Sequence, residues 1–217
     1  MADVLYYYGD DVPNFVFLKE EYPELNKGYE WDKCSKDVLL QRAAVRDKKI
    51  VLPDGMSYQV LVLAPEEEID LGVLRKIEEL VRAGATVVAP RPIRTSGLGS
   101  WPVGDRELTE IADRLWGRID GTNIRENRYG EGRMIWGKEI NEVLAEKGVG
   151  TDFSYHSPDA ETALDYIHRE SENGDFYFVV NRYAHKGIND FQYRYLTTLP
   201  DRYEQVECSF RVSGKVP

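Results

Sequence analysis

Carboxylates stand out among the residues that could do chemistry. Asp10 and Asp11 sit together in the stretch Asp3 to Phe15, DVLYYYGDDVPNF, with Asn14 three residues on. Glu30 and Asp32 make a second acidic pair, and aromatic rings flank both: Tyr8 before the first, Tyr29 and Trp31 around the second. Two carboxylates facing each other across a sugar are the working parts of a glycosidase. Aromatic faces beside them suit the same substrate, because sugar rings stack on the faces while their hydroxyls donate to the oxygens. Oxygen ligands such as Asp10, Asp11 and Asn14 are also what calcium takes. Their spacing matches no defined calcium loop, so no metal is assigned to them. The plainer reading is that these aspartates stop a strand and solvate a loop. The carboxyl separation that decides between the two readings cannot be read from sequence.

Other chemistries lack their parts. No GxGxxG follows the first apolar run, no GxxxxGK[ST] occurs, and Gly97-Leu98-Gly99 does not open directly into a helix, so no nucleotide cofactor is expected. His156, His168 and His185 are scattered, which does not supply a zinc site. A cysteine nucleophile needs a sharp strand-to-helix turn with a histidine and a carboxylate nearby. Cys34 precedes a helix but is expected to follow an irregular loop, and it reads better as a small packed hydrophobe. His168 reads as structural, in a helix.

The elements that must position these residues follow from apolar periodicity. Val4 to Tyr8 is a buried-strand pattern ended by Gly9 and the carboxylates. Residues 16–33 read as a long irregular loop. Ser35 caps a short helix with Val38, Leu39 and Arg42 on one face. Residues 44–52 make a hairpin around Asp47-Lys48-Lys49, and Pro53-Asp54-Gly55 the next turn. Tyr58 to Leu63 is the clearest central strand, apolar as in a sheet covered on both faces. Leu71, Leu74, Ile77, Leu80 and Val81 mark an amphipathic helix ended at Gly84, feeding a strand at Ala85 to Val88. After the Pro- and Gly-rich residues 90–104, Asp105 caps a helix carrying Leu108, Ile111, Ala112, Leu115 and Trp116. A charged excursion at 117–132 precedes a strand at Arg133 to Trp136 and a helix with Ile140, Val143 and Leu144. A short strand is expected at Val149 to Phe153, a helix at Pro158 to Glu170, and a strand at Asp175 to Val180. Residues 203–213 alternate with period two, as an antiparallel sheet does.

Strand, helix, Gly, strand is a βαβ unit. The fold class is therefore α/β, a mostly parallel sheet flanked by helices, flavodoxin-like or class I glutamine amidotransferase-like, with a short carboxyl-terminal β extension. The boundary is set near residue 183, giving residues 1–183 as the α/β domain and 184–217 as the start of a β-sandwich or β extension.

Composition narrows the partners. Lys and Arg number 28 against 38 Asp and Glu, a net charge of −10, which repels phosphate backbones and anionic lipid. Neither nucleic acid nor membrane is expected as a partner. No apolar run reaches the roughly 20 residues of a membrane span. No signal peptide is visible at the start, MADVLYYY. Cys34 and Cys208 default to free thiols in that setting.

Seven segments resemble the carboxyl-terminal part of glycoside hydrolase family 106 α-L-rhamnosidases. They are DVLYYYGDDVPNF at 3–15, GYEWDKCSKDVLL at 28–40, IVLPDGMSYQVLVL at 50–63, LRKIEELVRAGATVVAPRP at 74–92, ELTEIADRLWG at 107–117, DFYFVVNR at 175–182 and CSFRVSGK at 208–215. The resemblance implies relatives several times longer, secreted or periplasmic. They cleave terminal α-L-rhamnose with inversion and a calcium ion, using glutamates on an upstream barrel. It implies that this chain is the amidotransferase-like α/β domain and the first part of a sandwich. No residue here matches the catalytic glutamates, so no catalytic residue is assigned. The chain then reads as an accessory domain or fragment of such a hydrolase, not catalytic alone. The alternative is a stand-alone carbohydrate-binding or domain-packing module. Expected partners are a rhamnose-containing glycan, a catalytic barrel or a second copy. If it touches sugar, the expected contacts are Asp10, Asp11, Asn14, Tyr29, Trp31 and Asp32.

Overall fold

A computed structural model describes residues 1–9, 28–97, 102–159, 162, 164–181 and 205–212. The chain divides into two compact units, Met1–Gly150 and Thr151–Pro217.

The first unit is mixed α/β. In chain order it holds β1 (Val4–Tyr7), β2 (Trp31–Cys34), α1 (Lys36–Arg42), β3 (Ala44–Arg46), β4 (Lys49–Val51), β5 (Ser57–Tyr58), β6 (Val60–Leu63) and β7 (Glu68–Ile69). There follow α2 (Leu71–Arg82), β8 (Thr86–Val88), β9 (Arg94–Thr95), α3 (Gly104–Trp116), β10 (Glu126–Tyr129), β11 (Gly132–Ile135) and α4 (Ile140–Glu146). The central sheet runs β10-β11-β8-β6-β1-β2. Every neighbouring pair in it is parallel except β10 with β11. Counting only the parallel strands in chain order, the sheet reads 2-1-3-4-5.

Strand alternation sorts the core into two. Leu5 and Tyr7 of β1, Leu61 and Leu63 of β6, and Val87 of β8 pack with α1, α2 and α3 through Leu39, Leu74, Ile77, Leu108, Ile111 and Trp116. Val4 and Tyr6, Val60 and Val62, and Ile135 face the other way, onto Ile140, Val143 and Leu144 of α4 and onto Tyr29. Both faces of β1 and β6 are therefore covered, which is why their sequences are apolar without alternation. Trp116 is fully buried, and its indole N–H donates to the Ala89 carbonyl at 3.1 Å, so the largest side chain of the core leaves no donor unpaired.

Local signals explain the ends of the elements. The Asp70 carboxylate accepts the Val73 N–H at 3.1 Å and caps α2, and Gly84 at φ 119° takes the left-handed turn that ends it. In the β3–β4 hairpin both turn residues, Asp47 and Lys48, have positive φ, 51° and 60°. That is the type I′ geometry a two-residue hairpin requires.

Several expectations are corrected. Trp31 to Lys33 lie not in a loop but on the edge strand β2. Tyr58 to Leu63 is broken at Gln59: Tyr58 pairs antiparallel with Ile50, and Val60 begins the parallel strand. Arg42 is exposed and salt-bridged to Asp54, so the α1 face rests on Leu39. Ser35 takes the N-cap position without a side-chain cap bond. Asp105 lies inside α3, and its carboxylate accepts the Thr95 N–H and hydroxyl, each at 2.8 Å, tying β9 to the helix. The excursion at 117–132 contains β10, which closes the sheet as an antiparallel edge.

The second unit is antiparallel β: β12 (Phe153–His156) pairs with β15 (Glu207–Phe210), and β13 (Leu164–Ser171) with β14 (Gly174–Asn181). The helix expected at Pro158 to Glu170 is absent from its described residues, and its second half is β13. Leu164 and Ile167 mimic a helical spacing, but Tyr166 and His168 alternate inward against β14. The strand expected at Val149 to Phe153 begins only at Phe153. Residues 153–156 pair with 207–210, and 164–171 with 174–181, all within the second unit.

Gly132 opens β11 where the strand passes α2. A Cβ there would strike the carbonyl oxygens of Val81 and Ala85. Gly132→Ala is therefore expected to destabilise the chain by about 1–3 kcal/mol, read from the urea midpoint. A change under about 0.5 kcal/mol would refute this packing.

Candidate functional site

Parallel strands deliver their carboxyl ends to one edge of a sheet, and a crevice opens where neighbouring strands lead away in opposite directions. Here that point lies between β1 and β6, since β2 flanks β1 on one side and β8 flanks β6 on the other. The crevice found there is lined by Tyr7 and Gly9 after β1, Leu63, Ala64, Glu66 and Glu68 after β6, and Ala89, Pro90 and Pro92 after β8. Ala64 N–H donates to the Tyr7 carbonyl at 3.2 Å, holding the two strand ends together. Gly9 has φ 90°, a conformation that favours glycine, and a Cβ on it would force the Glu66 carboxylate to shift.

Glu66 and Glu68 are half-buried. Glu68 is held by Arg94 at 2.6 Å, and the Ile93 N–H donates to the Glu67 carbonyl at 2.8 Å, which anchors the loop after β8. The enclosed volume is about 20 Å³, room for roughly one water molecule. Two carboxylates between a tyrosine and two prolines can accept hydroxyl hydrogens against an apolar wall. Such a crevice does not enclose a sugar ring by itself. Neither glutamate was singled out by sequence reasoning. The signal was available, because both follow directly on the clearest central strand.

The expected contact residues divide. Asp10, Asp11 and Asn14 lie outside the described residues. Tyr29 is buried, and its hydroxyl donates to the Val149 carbonyl at 3.1 Å. Trp31 opens β2 opposite Val4, edge-on to Tyr6 at 5.8 Å, with the Lys33 ammonium 5.3 Å from its ring. Asp32 accepts the Tyr58 hydroxyl at 3.0 Å. The β1–β2 register puts Trp31 and Asp32 level with Val4 and Leu5, at the amino end of β1. They are therefore not brought together with the crevice but stand roughly 10 Å away along the strand.

Cys34 ends β2 and is followed at once by α1, so it does occupy a strand-to-helix turn, contrary to the expected loop. It is nevertheless buried, and burial pushes its thiol up to about 12. A thiol kept protonated is not a nucleophile at neutral pH. Cys34 and Cys208 are both free. Among the described residues no group of three or more His, Cys, Asp or Glu is placed to hold a metal ion.

The second unit holds a polar cluster that sequence reasoning missed. His168 Nδ1 lies 3.0 Å from both oxygens of Asp152, and Nε2 lies 3.0 Å from Asp175. Tyr177 stacks on the imidazole at 4.0 Å and donates its hydroxyl to Asp152 at 2.8 Å. Its hydroxyl is pushed well above its ordinary value, first by burial and then by its bond to Asp152. Arg211 Nε completes the set, 3.5 Å from Asp152. Only about 1% of the His168 side chain is exposed, so the cluster joins strands and is closed to a substrate. On the opposite face of the same hairpin Ile167, Phe176 and Phe178 are exposed, by 51–67%. They share that face because Ile167 pairs with Phe178 and Arg169 with Phe176.

With this geometry in place, comparison with known proteins is informative. The model of a glycoside hydrolase family 106 described as alpha-L-rhamnosidase matches residues 1–217. A Formosa agariphila protein provisionally named a beta-glucuronidase is 30% identical over 217 residues, all of this chain and 16% of that protein. The structure of a rhamnosidase from Novosphingobium sp. PP1Y superposes with a TM-score of 0.70 at 30% identity, covering 83% of this chain and 17% of that one. The chain thus spans about one sixth of the length of these relatives.

The two thiols should differ in reactivity. Iodoacetamide at pH 7.5 is expected to label Cys208, which is partly exposed, and to spare Cys34. Mass spectrometry of the native protein checks this, and fast labelling of Cys34 in the folded chain would revive a nucleophilic role.

Proposed function

The chain belongs to the glycoside hydrolase family 106 alpha-L-rhamnosidases, and on that premise we propose that it is an accessory α/β domain of a rhamnosidase-like hydrolase, not catalytic by itself. The observation that carries this reading is the state of four described carboxylates, Glu78, Glu107, Glu146 and Asp152. Inverting glycosidases need two carboxyl groups about 6.5–9.5 Å apart across a sugar, one held protonated. Here Glu78 is engaged by Arg114, Glu107 by Arg75, Glu146 by Lys138 and Arg133, and Asp152 by His168. Glu78, Glu107 and Glu146 are each held below the usual carboxylate range, chiefly by a hydrogen bond from the basic partner. That is the reverse of what a general acid needs. Cleavage then belongs to polypeptide outside these 217 residues, acting on a rhamnose-containing glycan.

The strand order 2-1-3-4-5 supports a flavodoxin-like sheet, and Cys34 at a strand-to-helix turn fits a class I amidotransferase-like ancestry without its nucleophile. The antiparallel second unit suits the beginning of a sandwich. If glycan reaches this domain, the crevice edge with Glu66, together with Asp10, Asp11 and Asn14, is the contact we favour. Tyr29 is occupied in the core, and Trp31 with Asp32 would form a separate subsite.

A second reading, an interaction or carbohydrate-binding module, is favoured by the exposed Ile167, Phe176 and Phe178 face. An apolar sheet face of this kind suits a partner surface or a sugar ring.

Incubating the purified 217-residue chain with an aryl α-L-rhamnoside separates these roles from catalysis. No turnover above buffer is expected, with or without calcium. Calcium-dependent turnover lost in Asp10→Asn would overturn the proposal. Titration with rhamnosylated oligosaccharides then tells the modules apart: binding lost in Phe178→Ser but kept in Trp31→Ala points to the hairpin face.

A further inference from the structure

A side-chain carbonyl followed by glycine can close a five-membered imide on the glycine nitrogen, because glycine adds no Cβ to obstruct the ring. The sequence offers three such pairs, Asp54-Gly55, Asp120-Gly121 and Asn173-Gly174, and the structure separates them. The Asp54 carboxylate is salt-bridged to Arg42, and the Gly55 N–H donates to the Leu52 carbonyl at 3.1 Å. The Asp120 carboxylate accepts the N–H groups of Thr122, Asn123 and Ile124 at 2.9, 2.7 and 2.9 Å, and the Gly121 N–H donates to the Ile124 carbonyl at 3.3 Å. Those bonds, that of Ile124 foremost, hold the Asp120 carboxyl well below the usual range, and an ionised carboxylate is a poor electrophile.

Asn173 is not tied in this way. It is exposed, with Glu172 and Gly174, in the turn between β13 and β14. Its backbone N–H donates to the Ser171 hydroxyl, which donates to the Gly174 carbonyl, each at 3.2 Å. Its carboxamide has no hydrogen-bond partner among the described residues. Ser171 pairs with Gly174, so Glu172 and Asn173 make a two-residue loop. The turns that match strand twist at that length need positive φ at the first central residue. Among the described non-glycine residues only Asp47 and Lys48 have it, so this hairpin is closed by a turn that does not match its strands. Gly174 has φ 139° and open space where a Cβ would stand. An exposed turn of this kind opens locally at low cost, which lets the glycine nitrogen reach the carboxamide carbon.

We propose that Asn173 is a self-modification site, at which the carboxamide is converted through a succinimide to aspartate or isoaspartate. The Gly174 nitrogen gives its proton to solvent base and attacks the side-chain carbonyl carbon. A C–N bond forms there, the bond to the amide nitrogen breaks, and that nitrogen takes up a proton and leaves as ammonia. Water then opens the ring at either carbonyl, so the net change consumes one water and replaces an amide by an acid. Opening at one carbonyl gives aspartate; opening at the other gives isoaspartate, whose main chain is longer by a methylene. The turn cannot absorb that length without disturbing the register that sets Glu170 opposite Asp175 and His168 opposite Tyr177. The new carboxylate also joins Glu170, Glu172 and Asp175 at one end of the hairpin, and like charges there repel. Conversion therefore loosens the hold of Asp175 on His168, now 3.0 Å from Nε2. The site is separate from the crevice and does not depend on whether the chain touches glycan.

Ageing the native 217-residue chain in mildly alkaline buffer, followed by trypsin and mass spectrometry, tests this. The mass increase of an amide-to-acid exchange is expected on peptide 170–182, with fragmentation placing it at Asn173 and isoaspartate in excess. Asn173→Gln, which must close a six-membered ring instead, should slow the conversion at least about tenfold. Hydrogen exchange at the Tyr177 amide should quicken in the aged wild-type chain and stay constant in aged Asn173→Gln. A native chain left intact while the urea-unfolded chain converts would overturn the site, as would conversion that falls first on another asparagine. Unchanged exchange at Tyr177 in the converted fraction would overturn the link to His168.

Discussion

Cover on both faces of β1 and β6 is the constraint from which the rest of the first unit follows. A parallel strand at the centre of a sheet exposes two apolar surfaces, and each needs its own layer. Val4, Leu5, Tyr6 and Tyr7 are all buried, which only a three-layer arrangement allows. One layer is supplied by α1, α2 and α3, the other by α4 and Tyr29. The Tyr29 bond to the Val149 carbonyl joins the ends of that second layer across 120 residues of sequence. Burying one leucine-sized side chain contributes about 1.5–3 kcal/mol, so loss of either layer would expose more than a small domain's net stability can bear.

The same constraint determines where ligands can meet the domain. With both faces covered, only the two edges of the sheet remain open to polar chemistry. At the carboxyl edge the reversal of strand direction leaves the crevice, acidic and narrow, with Glu66 pressed against Gly9. At the amino edge Lys147, after α4, reaches the Thr86 hydroxyl at the start of β8. The second unit solves its own problem differently. Its hairpin buries one face around His168 and leaves the other face, with Phe176 and Phe178, exposed.

Much of the first unit was legible in sequence. Val60 to Leu63 announces a doubly covered strand, and Leu71 to Val81 with Gly84 announces a helix and its end, because each signal is local. What failed was local signal overruled by distant partners. Trp31 to Cys34 is a four-residue edge strand with Asp32 and Lys33 inside it, and only pairing with β1 makes it one. Leu164 and Ile167 suggested a helix until β14 imposed alternation on them. His168 looked structural, and is, but its partners lie 16 and 7 residues away, Asp152 just before β12 and Asp175 on β14. The site was harder still. Sequence named Trp31 and Asp32 as contacts, and the register sets them level with Val4 and Leu5 at the amino end of β1, because spacing along a chain does not reveal which end of a parallel strand a residue will join.

The proposed accessory role requires the chain to hold its sheet without the remaining five sixths of its relatives' length. Native-state hydrogen exchange on the isolated 217-residue chain asks this directly. The amides of Leu5, Tyr6, Leu61 and Val62 are predicted to exchange slowest, through global unfolding alone, with Val87 close behind. Rapid exchange across β1 and β6 under native conditions would contradict the account, since the sheet would then depend on polypeptide that these residues do not contain.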